Sequence, residues 1–284
     1  MSNRKTIPRA EGILFFITLI WGSTFVIVKS SLVSISPLLF QGIRFTIAAL
    51  LVGIYTIRDV RKTNWKTLKY GALLGVYLGV GFSLQTIGLE ITTASKSGFI
   101  TGMLVVFTPI FQLLIERKKP TKGNIVGVAM VATGLYLLTS PQGSAFNIGD
   151  LLTLLCAIIF AIYVVYLDIY THDSFPREIV FWQMLVTALI GFIAAPFDPH
   201  LHVEWTSTML MGLFYTAVFA SAIATFLQSK YQRMSTPTRS AIIYSMEPVV
   251  AAILAVILVG EVLTPLSILG GGCIVGGLLV SELM

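Results

Sequence analysis

Charge is what this sequence has least of. Only 11% of its 284 residues are Asp, Glu, Lys or Arg, against about 25% in a typical soluble domain. So little polar surface excludes a water-soluble globule. Cysteine is nearly absent too: Cys156 and Cys273 both fall inside apolar stretches, so they read as small packing residues and no disulfide framework is expected. The three histidines, His172, His200 and His202, all lie between apolar stretches. DPHLHVEW at 198–205 alternates Asp198, His200, His202 and Glu204, a pattern within reach of metal binding, but in a short loop it reads as solvated polar residues. No HExxH, P-loop, nucleophile elbow or kinase signature occurs, and no metal or cofactor is expected. The chain also leaves no room for a soluble nucleotide-binding domain, which argues against ATP-driven transport by this chain alone.

What is present is hydrophobic: 56% of residues, in blocks of roughly 18–23 that suit helices crossing a ~30 Å hydrocarbon core. Ten spans are expected, at 12–32, 37–57, 68–88, 96–115, 123–140, 149–169, 177–196, 206–228, 236–258 and 265–282. The blocks do not alternate apolar and polar residues, so an outer-membrane barrel is excluded. Arg4, Lys5 and Arg9 ahead of an apolar run mimic a signal peptide, yet the run continues to Leu32 without a small-residue cleavage site, so a retained first span is expected. The fold class that follows is an all-α polytopic membrane protein.

Positive charge sets the orientation. With the N-terminus in the cytoplasm, Arg4, Lys5, Arg9, the run from Arg58 to Lys69, the run from Arg117 to Lys122, Arg177, Lys230, Arg233 and Arg239 all lie inside. Only Lys29 and Lys96 fall outside, while Arg44 lies within a span. Both termini are therefore expected in the cytoplasm, with the chain in the plasma (inner) membrane. The net charge of +6 is then a topology signal, and neither a nucleic-acid partner nor a soluble protein partner is expected. The partners are the lipid bilayer and a small-molecule substrate.

The chain repeats itself. A shift of 139 residues brings Glu11 onto Asp150, Pro37 onto Pro176 and Pro109 onto Pro248; past the last pair the shift becomes 143, joining Gly127 to Gly270 and Gly134 to Gly277. The added four residues are about one helical turn. Five spans per half, an odd number, place the copies in opposite orientations: two inverted five-helix repeats, 1–142 and 143–284, as in many secondary transporters. The small-xxx-small spacings GALLG (71–75), GVYLG (75–79), GFITG (98–102) and GCIVG (272–276) read as close helix packing within the chain.

Polar residues form a stripe in both copies. Ser97, Thr101, Thr108 and Gln112 share one helical face in the fourth span; Thr236, Ser240, Tyr244 and Glu247 share one in the ninth. Thr236 and Pro237 resemble an N-cap and a first-turn proline. Glu247 then lies roughly 16 Å into the bilayer. Pro109 and Pro248 cannot donate to the carbonyls of Val105 and Tyr244, and so are expected to break their helices where a cavity passes. Arg44 lies roughly 10 Å deep in the second span, close enough in depth for an ion pair with Glu247; Gln183 takes its place in the other copy. Intramembrane charges are costly and usually face protein or a watery cavity. Substrate contact is therefore expected from Trp21, Thr24, Arg44, Gln85, Thr101, Thr108, Tyr163, Gln183, Tyr244 and Glu247, and Gln228 is a further midspan candidate.

IWGSTFVIVKSSL (20–32), FQGIRFTIAALL (40–51), TTASKSGFITGMLVVFTPIF (92–111) and EPVVAAILAVILVGEVLTPLSILGGGCIVGGLL (247–279) resemble the EamA group of the drug/metabolite transporter superfamily. The start at WGS, the arginine of the second span and the spacing from Pro248 to Glu261 carry the resemblance. It implies ten helices, a central cavity between the first, third, fourth, sixth, eighth and ninth, and movement of small metabolites such as amino acids, often outward. LLIERKKP after Pro109 replaces the Gly-Glu segment expected there, a departure from exact symmetry. The expectation is a secondary transporter working by alternating access. A passive channel is the alternative, and a membrane-embedded lipid-modifying enzyme a more distant one.

Overall fold

In a computed structural model, residues 6–139, 146–198, 200–259 and 264–283 are described. Arg4, Lys5, the junction expected at 142–143 and Glu261 lie outside them. The described chain is helical, apart from one isolated antiparallel bridge between Ile35 and Val203. In order the helices are α1 (Thr6–Ser31), α2 (Pro37–Val60), α3 (Trp65–Ile91), α4 (Ala94–Gly102), α5 (Leu104–Glu116), α6 (Lys122–Thr139), α7 (Ile148–Asp173), α8 (Pro176–Ala194), α9 (Ser207–Tyr215), α10 (Ala224–Tyr231), α11 (Pro237–Tyr244), α12 (Glu247–Val259) and α13 (Pro265–Leu283). A π-helical stretch, Thr216–Ile223, joins α9 to α10. Seven helical segments among the described residues are long and apolar enough to cross a membrane; two apolar helices, Lys122–Leu137 and Ile268–Ser281, are shorter. The expected ninth span is divided at Ser245–Met246 into α11 and α12.

Local chemistry explains where helices begin. Pro37 and Pro176 occupy the first turns of α2 and α8, where the missing N–H costs nothing. The side chains of Asn64, Thr93, Asn147, Thr206 and Thr236 accept from backbone N–H groups of the turns that follow. Each such cap stabilises its helix by about 1 kcal/mol. Asn147 and Asp150 form a reciprocal capping box.

The far end of α3 is closed by a cation. Lys29 Nζ donates to the carbonyls of Leu89, Glu90 and Thr92 at 2.8, 2.9 and 2.9 Å. Charge-assisted bonds at a helix C-terminus are favourable on both hydrogen-bond and dipole grounds. Lys29→Met is expected to destabilise the protein by about 2 kcal/mol, the range for hydrogen bonds to charged groups. A lowered melting temperature in detergent checks this; an unchanged one would mean that water replaces the ammonium at no cost.

The two prolines behave differently. α11 ends before Pro248, which takes the second position of α12, a first-turn site where its missing N–H costs nothing. Pro109 instead sits inside α5, and the break in its span comes earlier, at Met103, just after Gly102. Pro109 therefore does not break its helix as expected; glycine, the weakest helix former after proline, marks the interruption.

Several helices approach along glycine. A Cβ added at Gly127 of α6 would lie 2.7 Å from the carbonyl oxygen of Gly277 in α13, and one at Gly134 would lie 2.6 Å from that of Gly270. Between α2 and α8, Gly42 packs on the Phe192 ring and Gly53 on the Phe181 ring. Two buried carboxylates tie down opposite ends of the bundle. Asp150 accepts from Thr92 Oγ1 at 2.5 Å and from Lys96 Nζ at 3.0 Å; Glu11 meets Ser235 Oγ at 3.1 Å and Arg239 at 3.2 Å. The 200–204 segment is pinned by the Ser34–Ser36 connection, where Ser36 N donates to His202 O at 3.1 Å and His202 N to Ser36 Oγ at 2.7 Å.

Candidate substrate site

Where α1, α2, α3, α4, α7, α10 and the α11–α12 break converge, about 620 Å³ of space, open solvent included, is left unfilled by atoms. Gly22 allows the convergence. A Cβ there would lie 2.7 Å from the carbonyl oxygen of Glu247, so only glycine lets α1 pass this close to the start of α12. Trp21 consequently sits beside the break, its ring 5.4 Å from that of Tyr244 in an edge-on arrangement. Its indole donates to Ala220 O at 2.9 Å.

Of the ten residues expected to meet substrate, Trp21, Thr24, Arg44, Gln85, Thr101, Tyr163, Tyr244 and Glu247 line this cavity. Thr108 and Gln183 do not. Thr108 is fully buried and its hydroxyl donates to Leu104 O at 2.7 Å. Gln183 stands behind Tyr163, whose hydroxyl donates to it at 3.3 Å. The interruption at Met103 explains Thr108: the stripe assumed one continuous helix, and only Thr101, before the break, faces the space. Gln228, at the end of the apolar run, does line it.

Arg44 is buried, held at three sides. Its Nε donates to Ser221 Oγ at 2.8 Å, and its guanidinium carbon lies 5.0 and 4.8 Å from the ring centres of Phe45 and Phe82. Such contacts with aromatic faces stabilise a cation that has lost its water. Arg44 and Glu247 do not pair: among the described residues neither enters an ion pair. The terminal guanidinium nitrogens have no hydrogen-bond partner among those residues, nor does the Glu247 carboxylate. Both line the same cavity. Matching depth made a pair look feasible, but Ser221 and the two phenylalanines hold the guanidinium instead.

One end of the cavity is closed by amides. Gln228 Nε2 donates to Gln232 Oε1 at 3.2 Å, Tyr244 Oη donates to the same oxygen at 3.0 Å, and Gln232 Nε2 donates to Val164 O at 2.7 Å. Opposite, Gln85 Nε2 donates to Thr101 Oγ1 at 3.2 Å. Phe25, Phe82 and Phe160 complete an apolar wall. Sequence reasoning missed these rings, since a phenylalanine facing a cavity has the same pattern as one facing lipid. It also missed Ser221 and Thr225. The stretch TAVFASAI contains neither proline nor glycine, so nothing in its composition announces a π-helix.

The chemistry this arrangement offers is recognition of opposite charges. A guanidinium fork with free nitrogens suits a carboxylate; a carboxylate in the first turn of α12, close to the positive end of that helix, suits an amine.

Comparison with known proteins agrees with this architecture. A model of the EamA-like transporter family matches residues 10–140 and again 147–283. An uncharacterized transporter of Archaeoglobus fulgidus is 34% identical over 272 residues, covering 95% of this chain and 84% of the relative. A protein of Escherichia coli K12 named as a probable amino-acid metabolite efflux pump is 24% identical over 291 residues, covering 96% and 95%. The uncharacterized inner membrane transporter YedA of the same strain is 28% identical over 284 residues, covering 97% and 90%. A solved crystal structure superposes with a TM-score of 0.80 at 17% identity, covering 97% of each chain; at that identity the likeness concerns the fold.

Proposed function

The chain belongs to the EamA-like transporter family, and on that premise we propose that it is a secondary carrier of amino acids or related amphipathic metabolites, working by alternating access across the plasma (inner) membrane. One observation carries the substrate class: Arg44 and Glu247 line one cavity without pairing, between aromatic rings. Arg44 would hold a carboxylate and Glu247 an amine, with Trp21, Tyr163 and Tyr244 beside an apolar side chain. Thr24, Gln85 and Thr101 would supply neutral hydrogen bonds; Thr108 and Gln183 would act from behind the wall. An unpaired charge at midplane is too costly to keep as packing. The efflux name of the 24% identical relative favours export.

The carrier would consist of ten spans in two inverted repeats, 1–142 and 143–284, with both termini in the cytoplasm. Reciprocal contacts support this. Under the 139-residue shift Gly42 corresponds to Phe181 and Gly53 to Phe192, and the contacts made are Gly42 on Phe192 and Gly53 on Phe181. Under the 143-residue shift Gly127 corresponds to Gly270 and Gly134 to Gly277, and Gly127 meets Gly277 while Gly134 meets Gly270. Residue i touching j′ while i′ touches j is the signature of a two-fold relation. Glu11 and Asp150, also equivalent, each anchor one end of the bundle.

The test is counterflow in proteoliposomes with the twenty amino acids and their simple amines. Saturable exchange of at least one zwitterion is expected. Flux that neither saturates nor shows counterflow would replace the carrier by a passive channel.

A further inference from the structure

The geometry points to Ser221 as a positioning residue that makes the carrier select carboxylate-bearing substrates over carboxylate-free amines. The inference rests on the proposed reading of the cavity as a site for amphipathic metabolites.

Ser221 belongs to the π-helical stretch, a form that is rare and concentrated at functional sites. At its end the Ala224 N–H donates to Phe219 O, five residues back, and to Ser221 O. An α-helix would direct that N–H to Ala220 O. The carbonyl of Ala220 is thus released, and the Trp21 indole takes it at 2.9 Å. The next residue, Ser221, is fully buried and its hydroxyl accepts from Arg44 Nε at 2.8 Å. Two consecutive residues of one irregular turn therefore fix both the cation and the indole of the cavity.

The consequence for Arg44 is orientational. With Nε engaged by Ser221 and the guanidinium packed against Phe45 and Phe82, the donors left for a ligand are the terminal nitrogens. A fork aimed this way reads a carboxylate with two parallel bonds. Without the hydroxyl, Nε loses its buried partner and competes for the ligand, and the side chain is free to turn about its last bonds. Ser221 itself does not line the cavity, so it acts only through Arg44.

The experiment measures equilibrium binding to purified full-length protein of L-leucine and of 3-methylbutylamine, which differs from it by the carboxylate alone. Ser221→Ala is expected to weaken leucine binding about 10-fold, the lower end for a lost hydrogen bond to a charged group, and to leave the amine within about twofold. Ser221→Thr, which keeps the hydroxyl, restores leucine binding; Arg44→Gln removes the preference for leucine altogether. Equal weakening of both ligands by Ser221→Ala would reduce Ser221 to packing and overturn the inference, as would no effect on either. If Arg44→Gln erases the preference but Ser221→Ala does not, only the inference falls. A wild-type protein that binds neither compound, or an Arg44→Gln protein that keeps the preference, removes the reading of the cavity and the inference with it.

Discussion

Glu247→Gln is expected to lower transport of amine-bearing substrates about 100-fold, the effect of truncating one partner of a desolvated charge pair, while leaving the fold intact. The substitution keeps the shape of the side chain and removes only its charge. Because the carboxylate has no ion-pair partner among the described residues, its loss breaks no ion pair among them. Stability should therefore stay level or rise, since an intramembrane charge costs roughly 2.5–3.5 kcal/mol on insertion scales. The two readouts separate two roles. A carboxylate that only locked helices together would lower the melting temperature when neutralised, with transport falling in proportion to the loss of folded protein. A substrate ligand gives the opposite pattern: folded, thermally stable and inactive. Normal transport by Glu247→Gln at every pH would remove Glu247 from the site.

The difference between what could and could not be read from sequence follows the same physics. The positions of the seven long apolar helical segments were legible because the bilayer demands long apolar runs, and Pro37, Pro176 and Thr236–Pro237 mark where helices start. The polar residues of the cavity were largely legible, because a polar group in hydrocarbon needs a reason to be there. Thr108 and Gln183 answer that need with protein partners instead of a cavity, and spacing alone does not distinguish the two. Helical phase was legible only as far as each helix continues: the interruptions at Met103 and Ser245–Met246 and the π-helical stretch shift the faces beyond them. The partner of Arg44 depended on that shift. Ser221 reaches Nε because of the wider turn at 216–223, and a hydroxyl in an apolar run gives no sign of it.

Gly134→Leu should be among the most damaging substitutions in the chain, whereas Gly271→Leu should be nearly silent. Both positions are glycines of apolar helices, and sequence offers no ground to rank them. Their surroundings do. A Cβ at Gly134 would lie 2.6 Å from the carbonyl oxygen of Gly270 and 2.8 Å from the backbone nitrogen of Ile274, whereas a Cβ at Gly271 meets nothing within 4 Å. Backbone cannot yield as a flexible side chain does, so α6 and α13 must separate along their whole contact, including Gly127 against Gly277. Overpacking of this kind costs about 3 kcal/mol or more. In water, part of that would be recovered by hydrophobic collapse elsewhere, but in lipid close packing is itself the driving force between helices. The check is the melting temperature in detergent, with the yield of monodisperse protein beside it: a large fall for Gly134→Leu and none for Gly271→Leu. Gly127→Leu should repeat the fall, because a Cβ there would lie 2.7 Å from the carbonyl oxygen of Gly277 in the same helix contact. A Gly134→Leu protein as stable as the parent would mean that α6 and α13 do not meet backbone to backbone, and the reciprocal contact that supports the inverted repeat at that end of the chain would be lost with it.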